Sequence, residues 1–149
     1  SHPHHFLSVT KQGVAAIVAT TGNDSCHLIL RGGKSGPNYE ADAIAEAVTM
    51  LEEQNLPPHV MVDCSHGNSR KDFRNQPFVA ANLCNQITRG SRAITAVMLE
   101  SNLIEGNQAL AAQAQMTRGQ SVTDACLGWD DTTEVLEKFA HAVQQRRTT

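Results

Sequence analysis

Residues 59–71 read HVMVDCSHGNSRK, and this stretch decides the fold that we predict for the chain. It opens as a short apolar run, which is typical of a strand buried on both faces in a parallel sheet. It then changes into side chains that bind metals, protons and anions. In parallel sheets covered by helices, chemistry gathers at the carboxyl ends of the strands. His66 lies at such an end.

Two other apolar runs also end on a side chain that is costly to bury. Residues 27–30 lead into Arg31, and residues 94–99 lead into Glu100. If the three strands are parallel neighbours, a guanidinium, an imidazole and a carboxylate converge at one edge of the sheet. We therefore predict a single pocket that contains Arg31, His66 and Glu100.

The order of the predicted elements is typical of an α/β protein. A hairpin with its turn at Gly13 is followed by three strands that alternate with helices, then by a long loop and a last helix. We predict that Asn38 caps the helix that ends near Glu53, and that Asp131 caps the last helix. Three parallel strands leave a strand without a partner on each side. We therefore expect the chain to be the carboxyl-terminal part of a larger protein, or to associate so that these edges are covered.

Composition and charge disfavour several classes of protein. The chain has 149 residues, of which 40% are hydrophobic and 18% charged, and its formal net charge is -3. These values are typical of a globular domain, and there is no general basic field to attract nucleic acid. No apolar run approaches the length of a membrane span, and widely spaced cysteines indicate reduced thiols. We expect a soluble, cytoplasmic protein that binds neither nucleic acid nor a membrane.

His66, Glu100 and Asp124 are candidate ligands for a divalent metal ion. An imidazole and two carboxylates suit manganese, iron, cobalt or zinc better than an ion that prefers thiolates. A structural interpretation is also open, in which His66 ends a strand, Glu100 pairs with an arginine and Asp124 begins a turn. Two roles are open for Cys64 as well, because it lies two residues before His66: a further ligand or a small core residue.

Arg31-Gly32-Gly33-Lys34 follows a predicted strand and is a candidate anion site. Glycines let the backbone approach a ligand closely, and a guanidinium binds the paired oxygens of phosphate or carboxylate. The spacing of glycine, lysine and hydroxyl differs from that of a Walker loop. The alternative interpretation is a tight turn with solvated charges.

Several motifs resemble those of one enzyme family and occur in that family's order along nearly the whole chain. The matching segments are residues 6–11 (FLSVTK), 30–34 (LRGGK), 37–39 (PNY), 62–69 (VDCSHGNS), 100–101 (ES), 105–108 (EGNQ) and 121–129 (SVTDACLGW). Together they are similar to the carboxyl-terminal portion of type I 3-deoxy-D-arabino-heptulosonate 7-phosphate (DAHP) synthase.

The resemblance implies a fold and a reaction. The family fold is a (β/α)8 TIM barrel, which takes about 250 residues when complete. Residues 1–149 would form a partial barrel domain, with residues 1–22 as a β-hairpin extension and residues 23–149 as the last three β/α units. The reaction would be the condensation of phosphoenolpyruvate with erythrose 4-phosphate to DAHP and phosphate, the first step of the shikimate pathway to the aromatic amino acids.

The resemblance also implies roles for residues in the predicted pocket. His66, Glu100 and Asp124 match metal ligands, and Arg31 matches a residue that binds phosphoenolpyruvate. Arg31 and His66 would be catalytic, and both would bind substrate together with Asp124. The family's fourth ligand, a cysteine, and its phosphate-binding lysines and other arginines come from earlier strands that this chain does not contain.

Phe6, Ser8 and Val18 match the effector pocket of family members that an aromatic amino acid inhibits. A homo-oligomer is expected for the parent protein. Two other functions are weighed against that of a synthase active only with its upstream half. One is a noncatalytic fragment that binds a divalent metal or an anion, and the other is a related synthase that joins phosphoenolpyruvate to a different aldose phosphate.

Overall fold

A computed structural model describes residues 2–148, which form a mixed α/β fold with parallel sheets. The strands are β1 (His5–Val9), β2 (Ala15–Ala19), β3 (Leu28–Leu30), β4 (Val60–Asp63), β5 (Ile94–Met98), β6 (Ile104–Asn107) and β7 (Gln120–Ser121). The helices are α1 (Ala41–Glu53), α2 (Gln76–Thr88) and α3 (Trp129–Thr148), with short 3-10 turns at Phe73–Asn75 and Gln113–Gln115. The prediction of an α/β fold on parallel strands is therefore confirmed, whereas the predicted domain limits at Ser1 and Thr149 lie outside the described residues.

The main sheet has three parallel strands in the order β3, β4, β5. Val60 and Val62 of the central strand are fully buried, and burying one such side chain stabilises the fold by about 1.5–3 kcal/mol. Helices α2 and α3 pack on each other, and their buried apolar residues belong to the same core as β4. These residues are Val79, Ala80, Leu83, Ile87, Val135, Phe139 and Ala142. Because the three strands are parallel, their carboxyl ends lie at the same edge of the sheet.

Both predicted helix caps are wrong. Helix α1 begins after Glu40, and the side chain of Asn38 instead accepts a hydrogen bond from the Gly32 amide at 2.7 Å. Helix α3 begins at Trp129, so Asp131 lies within its first turn rather than before it. A carboxylate there still interacts favourably with the positive end of the helix dipole.

The predicted long loop after β5 contains a second, two-stranded parallel sheet of β6 and β7. Gln108 closes the segment between them, because its side chain accepts from the Thr117 amide at 2.8 Å and donates to the Thr117 carbonyl at 2.7 Å. Gly106 and Cys126 also exchange backbone hydrogen bonds of 2.8 and 3.1 Å. These contacts return the chain toward the end of β5 and so bring Asp124 close to Glu100.

The predicted hairpin is present, with β1 and β2 antiparallel and Gly13 in the left-handed region at φ 80°. Its apolar side chains on one face, including Leu7 and Ile17, are largely exposed. None of the helices in residues 2–148 combines the length and the apolar character that crossing a bilayer requires.

Candidate functional site

A cleft of about 250 Å³ lies at the carboxyl ends of the three parallel strands. It is lined by Arg31, His66, Ser69, Lys71, Phe73, Glu100, Asp124 and Ala125. The structure thus places in one cleft the four side chains that were predicted from the strand ends and from the following loop. These are Arg31, His66, Glu100 and Asp124. Lys71 lines the cleft together with Arg31, whereas Lys34 of the candidate anion site is not among the lining residues.

His66, Glu100 and Asp124 each offer a ligand atom, and these three atoms lie within 4.8 Å of one another. His66 Nε2 lies 3.4 Å from Glu100 Oε1. One imidazole nitrogen and two carboxylate oxygens form a donor set that suits first-row divalent metals. The donor set therefore fits the metal that the sequence predicted.

Electrostatics at Glu100 favour a cation as well. Burial raises the pKa of the Glu100 carboxyl above its ordinary value, and the nearby charges of Asp124 and Asp63 raise it further, while His66 opposes this shift. Carboxylates that repel one another in a partly dry cleft are stabilised when a cation lies between them. A bound divalent ion would therefore favour the ionised form of Glu100.

The backbone around His66 is held in an uncommon conformation. His66, Arg70 and Lys71 have φ of 48°, 54° and 61°, the left-handed region that costs a residue with a side chain of the order of 1–3 kcal/mol. The Lys71 amide donates to the His66 carbonyl at 2.8 Å, and the Ser69 hydroxyl donates to the same carbonyl at 3.2 Å. These two hydrogen bonds hold the loop in a conformation in which both His66 and Lys71 line the cleft.

Asn68 joins the ends of β3 and β4. Its buried amide nitrogen donates to the carbonyls of Leu30 at 3.1 Å and Asp63 at 2.8 Å, and its oxygen accepts from the Asn38 amide at 2.8 Å. The polar run after β4 contained this residue, yet only the folded contacts reveal its partners. Asn68 fixes the spacing between the strand end that carries Arg31 and the one that leads to His66.

Two glycines allow this junction to close. A Cβ on Gly32 would lie 2.5 Å from the carbonyl carbon of Gly67, and one on Gly67 would lie 2.9 Å from the carbonyl carbon of Gly32. The Gly67 amide donates to the Arg31 carbonyl at 3.0 Å. Gly32 therefore serves a close approach between two backbones, as well as the tight turn that was the alternative prediction.

Gln76 is another residue that sequence reasoning missed. It is buried at the start of α2, and its side chain forms two hydrogen bonds with the Glu100 backbone, donating at 3.0 Å and accepting at 2.8 Å. No local motif surrounds it, because its partner lies 24 residues away. Gln76 holds the end of β5 in place.

Cys64 takes the second of its two predicted roles. It is fully buried in the apolar core, and it is not one of the clustered ligand atoms found in residues 2–148. Burial, followed by the charge of Asp63, raises the pKa of the Cys64 thiol to about 12. A thiol that stays protonated in this way is a poor metal ligand, since the thiolate is the binding form.

Phe6, Ser8 and Val18 lie on one face of the hairpin. Phe6 pairs directly with Val18, and Ser8 follows two residues after Phe6, so the three side chains point to the same side. Phe6 and Val18 are exposed. This face of the hairpin is therefore open to solvent.

Comparison with known proteins gives a consistent result. The model of the DAHP synthetase I family matches residues 1–137. The chain is 59% identical to a putative phospho-2-dehydro-3-deoxyheptonate aldolase of Schizosaccharomyces pombe over 99% of its own length and 41% of the relative. It is 52% identical to the Phe-sensitive phospho-2-dehydro-3-deoxyheptonate aldolase of Escherichia coli K12, over 97% of this chain and 41% of that protein.

A solved structure of phospho-2-dehydro-3-deoxyheptonate aldolase from Francisella tularensis superposes with a TM-score of 0.86 at 48% identity. The alignment covers 97% of this chain and 42% of that one. The chain therefore spans about two fifths of the length of the relatives it matches.

Proposed function

The chain belongs to the DAHP synthetase I family, and from this premise we propose that it is the carboxyl-terminal part of a metal-dependent DAHP synthase. The proposed reaction condenses phosphoenolpyruvate with erythrose 4-phosphate and releases phosphate. The observation that carries the proposal is the cleft in which three ligand atoms within 4.8 Å of one another lie beside two cationic side chains. Such a cleft suits substrates that carry phosphate and carboxylate groups.

We also propose that β3, β4 and β5 are the last three strands of a (β/α)8 barrel, with residues 1–22 as a hairpin extension and 23–149 as the last β/α units. Two observations support this organisation. The outer edges of β3 and β5 have no strand partner within residues 2–148, and the relatives are more than twice as long as the chain. Active sites of such barrels lie at the carboxyl ends of the strands.

In this proposal Arg31 and Lys71 bind the anionic groups of phosphoenolpyruvate. The guanidinium of Arg31 suits a bidentate contact with phosphate or carboxylate oxygens, whereas the ammonium of Lys71 acts as a point charge. Asp124, an exposed member of the donor cluster, would accept hydrogen bonds from substrate hydroxyls. Holding the two substrates together replaces a bimolecular encounter by a positioned one.

His66, Glu100 and Asp124 are the residues that would hold the divalent metal, whether manganese, iron, cobalt or zinc. The metal would supply Lewis-acid polarisation of the aldehyde oxygen of erythrose 4-phosphate. The role of His66 and Glu100 is to hold fixed donor atoms at the strand ends, and Arg31 aligns the other substrate against the same place. His66 is thereby both a ligand and part of the substrate surface.

Phe6, Ser8 and Val18 are proposed to line a pocket for an aromatic amino acid that inhibits the parent enzyme. The E. coli relative is named as Phe-sensitive, and an apolar hairpin face with one hydroxyl suits an aromatic ring beside a polar group. A homo-oligomeric parent is part of the same proposal.

The function is tested by comparing the full-length parent with the 149-residue chain. We expect synthase activity from the parent only, since the 149-residue chain spans about two fifths of the length of the relatives it matches. The alternative, a noncatalytic metal-binding fragment, predicts metal binding by the isolated chain without turnover. Competition among aldose phosphates tests the choice of erythrose 4-phosphate.

Variants of the parent test the site itself. His66→Ala and Glu100→Ala should each lower metal occupancy and activity strongly, because each removes a ligand. His59→Ala is the matched control, since His59 is exposed just before β4, at the far end from the cleft. Full metal occupancy in both site variants would overturn the ligand assignment.

A further inference from the structure

We propose that Asp63 is a positioning residue that holds the His66 imidazole with its proton on Nδ1 and the Nε2 lone pair toward Glu100 and Asp124. The inference rests on the proposed function, in which His66 is a metal ligand. It assigns a role to a buried carboxylate that lies next to the cleft but does not line it.

Asp63 is the last residue of β4, and both of its carboxylate oxygens are used. Oδ2 lies 2.7 Å from His66 Nδ1. Oδ1 accepts from the Ser65 amide at 2.8 Å and from the Ser65 hydroxyl at 2.6 Å. Asp63 and Ser65 are both buried, so water does not compete for these hydrogen bonds.

The chemistry of this triangle selects one tautomer of His66. A carboxylate has no proton to give, so the short contact between Oδ2 and Nδ1 requires a proton on Nδ1. The Ser65 hydroxyl also lies 2.7 Å from Nδ1, but its single proton is already directed to Asp63 Oδ1. With the proton on Nε2 instead, Nδ1 and Asp63 Oδ2 would be two acceptors that face each other at 2.7 Å.

The selected tautomer leaves Nε2 as an acceptor 3.4 Å from Glu100 Oε1. Two acceptors that face one another, with the Asp124 carboxylate close by, are stabilised by a cation that lies between them. A histidine that binds a metal through one nitrogen commonly donates its other N–H to a carboxylate, which fixes the ring and raises its basicity. Asp63 supplies that carboxylate from the rigid end of a central strand.

The backbone anchors Asp63 on two sides. Its carbonyl accepts from Asn68 Nδ2 at 2.8 Å, and the next amide, that of Cys64, donates to the Met98 carbonyl of β5 at 2.9 Å. The carboxylate therefore has little freedom to follow a ring that turns away. The direction of the imidazole is set by the sheet through Asp63.

Asp63→Asn in the full-length parent is a sharp test because it inverts the donor pattern. The Ser65 amide is a fixed donor, so the asparagine oxygen stays opposite it and the asparagine NH₂ faces His66 Nδ1. Nδ1 then becomes an acceptor and the ring proton moves to Nε2. We expect divalent-metal affinity, measured with Co²⁺ or Zn²⁺ alone, to fall about 10–100-fold, with little change in the melting temperature of the metal-free protein.

The tautomer is read directly by ¹⁵N solid-state NMR of the metal-free parent labelled at histidine, at a pH of about 9, where imidazoles are ordinarily neutral. His66→Ala identifies the resonance. We expect a proton on Nδ1 in the unmodified protein and on Nε2 in Asp63→Asn. Asp42→Asn, an exposed change on α1, should alter neither the tautomer nor the affinity.

The outcomes separate this inference from the proposed function. A proton on Nε2 in the unmodified protein, or unchanged affinity and tautomer in Asp63→Asn, would overturn the role of Asp63. Absence of metal binding in the unmodified protein would overturn the metal site, while the tautomer measurement would still decide what Asp63 does. The measurement on the unmodified protein needs no variant, so it holds even if Asp63→Asn does not fold.

Discussion

The stretch from Asp63 to Lys71, called here the His66 loop, and the β1–β2 hairpin distribute polarity in opposite ways. In the His66 loop, polar side chains are inside: Asp63 is 2% exposed and Ser65 is 0% exposed. In the hairpin, apolar side chains are outside: Leu7 is 78% exposed and Ile17 is 76% exposed. Yet no buried side-chain nitrogen or oxygen in residues 2–148 lacks a hydrogen-bond partner.

The comparison teaches where the chain is rigid. Buried polar groups that are all paired specify a single arrangement, since any displacement leaves a donor or acceptor unsatisfied. A two-stranded hairpin is marginal by itself, and its exposed apolar faces add little to its stability. We therefore expect substitutions that remove a hydrogen-bond partner or add a side chain to be costly around the His66 loop, and comparable changes to be mild in the hairpin.

The largest contrast is expected between Gly32→Ala and Gly13→Ala. Both glycines have positive φ, 75° and 80°. A Cβ on Gly32 meets the Gly67 backbone at 2.5 Å, whereas one on Gly13 meets nothing within 4 Å. Gly13→Ala should lower the free energy of unfolding by about 1–2 kcal/mol, because alanine is strained in the left-handed region. Gly32→Ala should lower it clearly more, because its Cβ also clashes with the Gly67 backbone. Unfolding in urea measures both losses. Equal losses would refute the close approach of the two strand-end loops.

Asn68→Ala should be the next most costly change, at about 2–4 kcal/mol, because it leaves buried backbone groups without partners. Asn23→Ala is its counterpart at the surface, where Asn23 accepts one hydrogen bond from the Ser25 amide. That control should change the free energy of unfolding by less than about 0.5 kcal/mol. A mild effect of Asn68→Ala would mean that the two strand ends are held by something else.

Cysteine labelling compares a buried thiol of the His66 loop, Cys64, with an exposed thiol in the segment after the hairpin, Cys26. Burial raises the pKa of Cys64 to about 12, whereas Cys26 is exposed. Since the thiolate is the reactive form, iodoacetamide at pH 8 should label Cys26 quickly and Cys64 only after unfolding. Peptide mass mapping gives the two rates, and rapid native labelling of Cys64 would contradict its burial.

The smallest effect is expected from Leu7→Thr on the exposed hairpin face. Threonine keeps a good strand propensity, so the free energy of unfolding should change by less than about 0.5 kcal/mol. Leu110→Thr, an equally exposed leucine in a loop, is the matched control. A large loss for Leu7→Thr alone would show that this face is covered when the protein folds.

The fold could be predicted as far as its signals are local. The apolar run that contains Val60 and Val62 identifies a buried strand, and the turn at Gly13 identifies the hairpin. The caps were mispredicted because Asn38 bonds to Gly32 across the loop instead of to its own helix. Strands β6 and β7 were missed because they are short, lack alternation and pair across an intervening loop.

The same division holds for the cleft. Arg31, His66 and Glu100 were predictable because each follows an apolar run, and parallel strands bring such ends together. Asn68 and Gln76 were not, because what they do depends on contacts 38 and 24 residues away. No local sequence pattern surrounds Asn68 and Gln76, whereas the cleft residues that they hold in place each follow a recognisable apolar run.

Gln108 has a practical consequence. Its side chain bonds to Thr117 and so holds together the two ends of the segment formed by residues 109–116. The length of that segment therefore does not set the position of Asp124. We expect the segment of residues 109–116 to accept an inserted affinity tag or fluorescent reporter. A probe placed there would leave the residues that line the cleft unchanged, since none of residues 109–116 is among them.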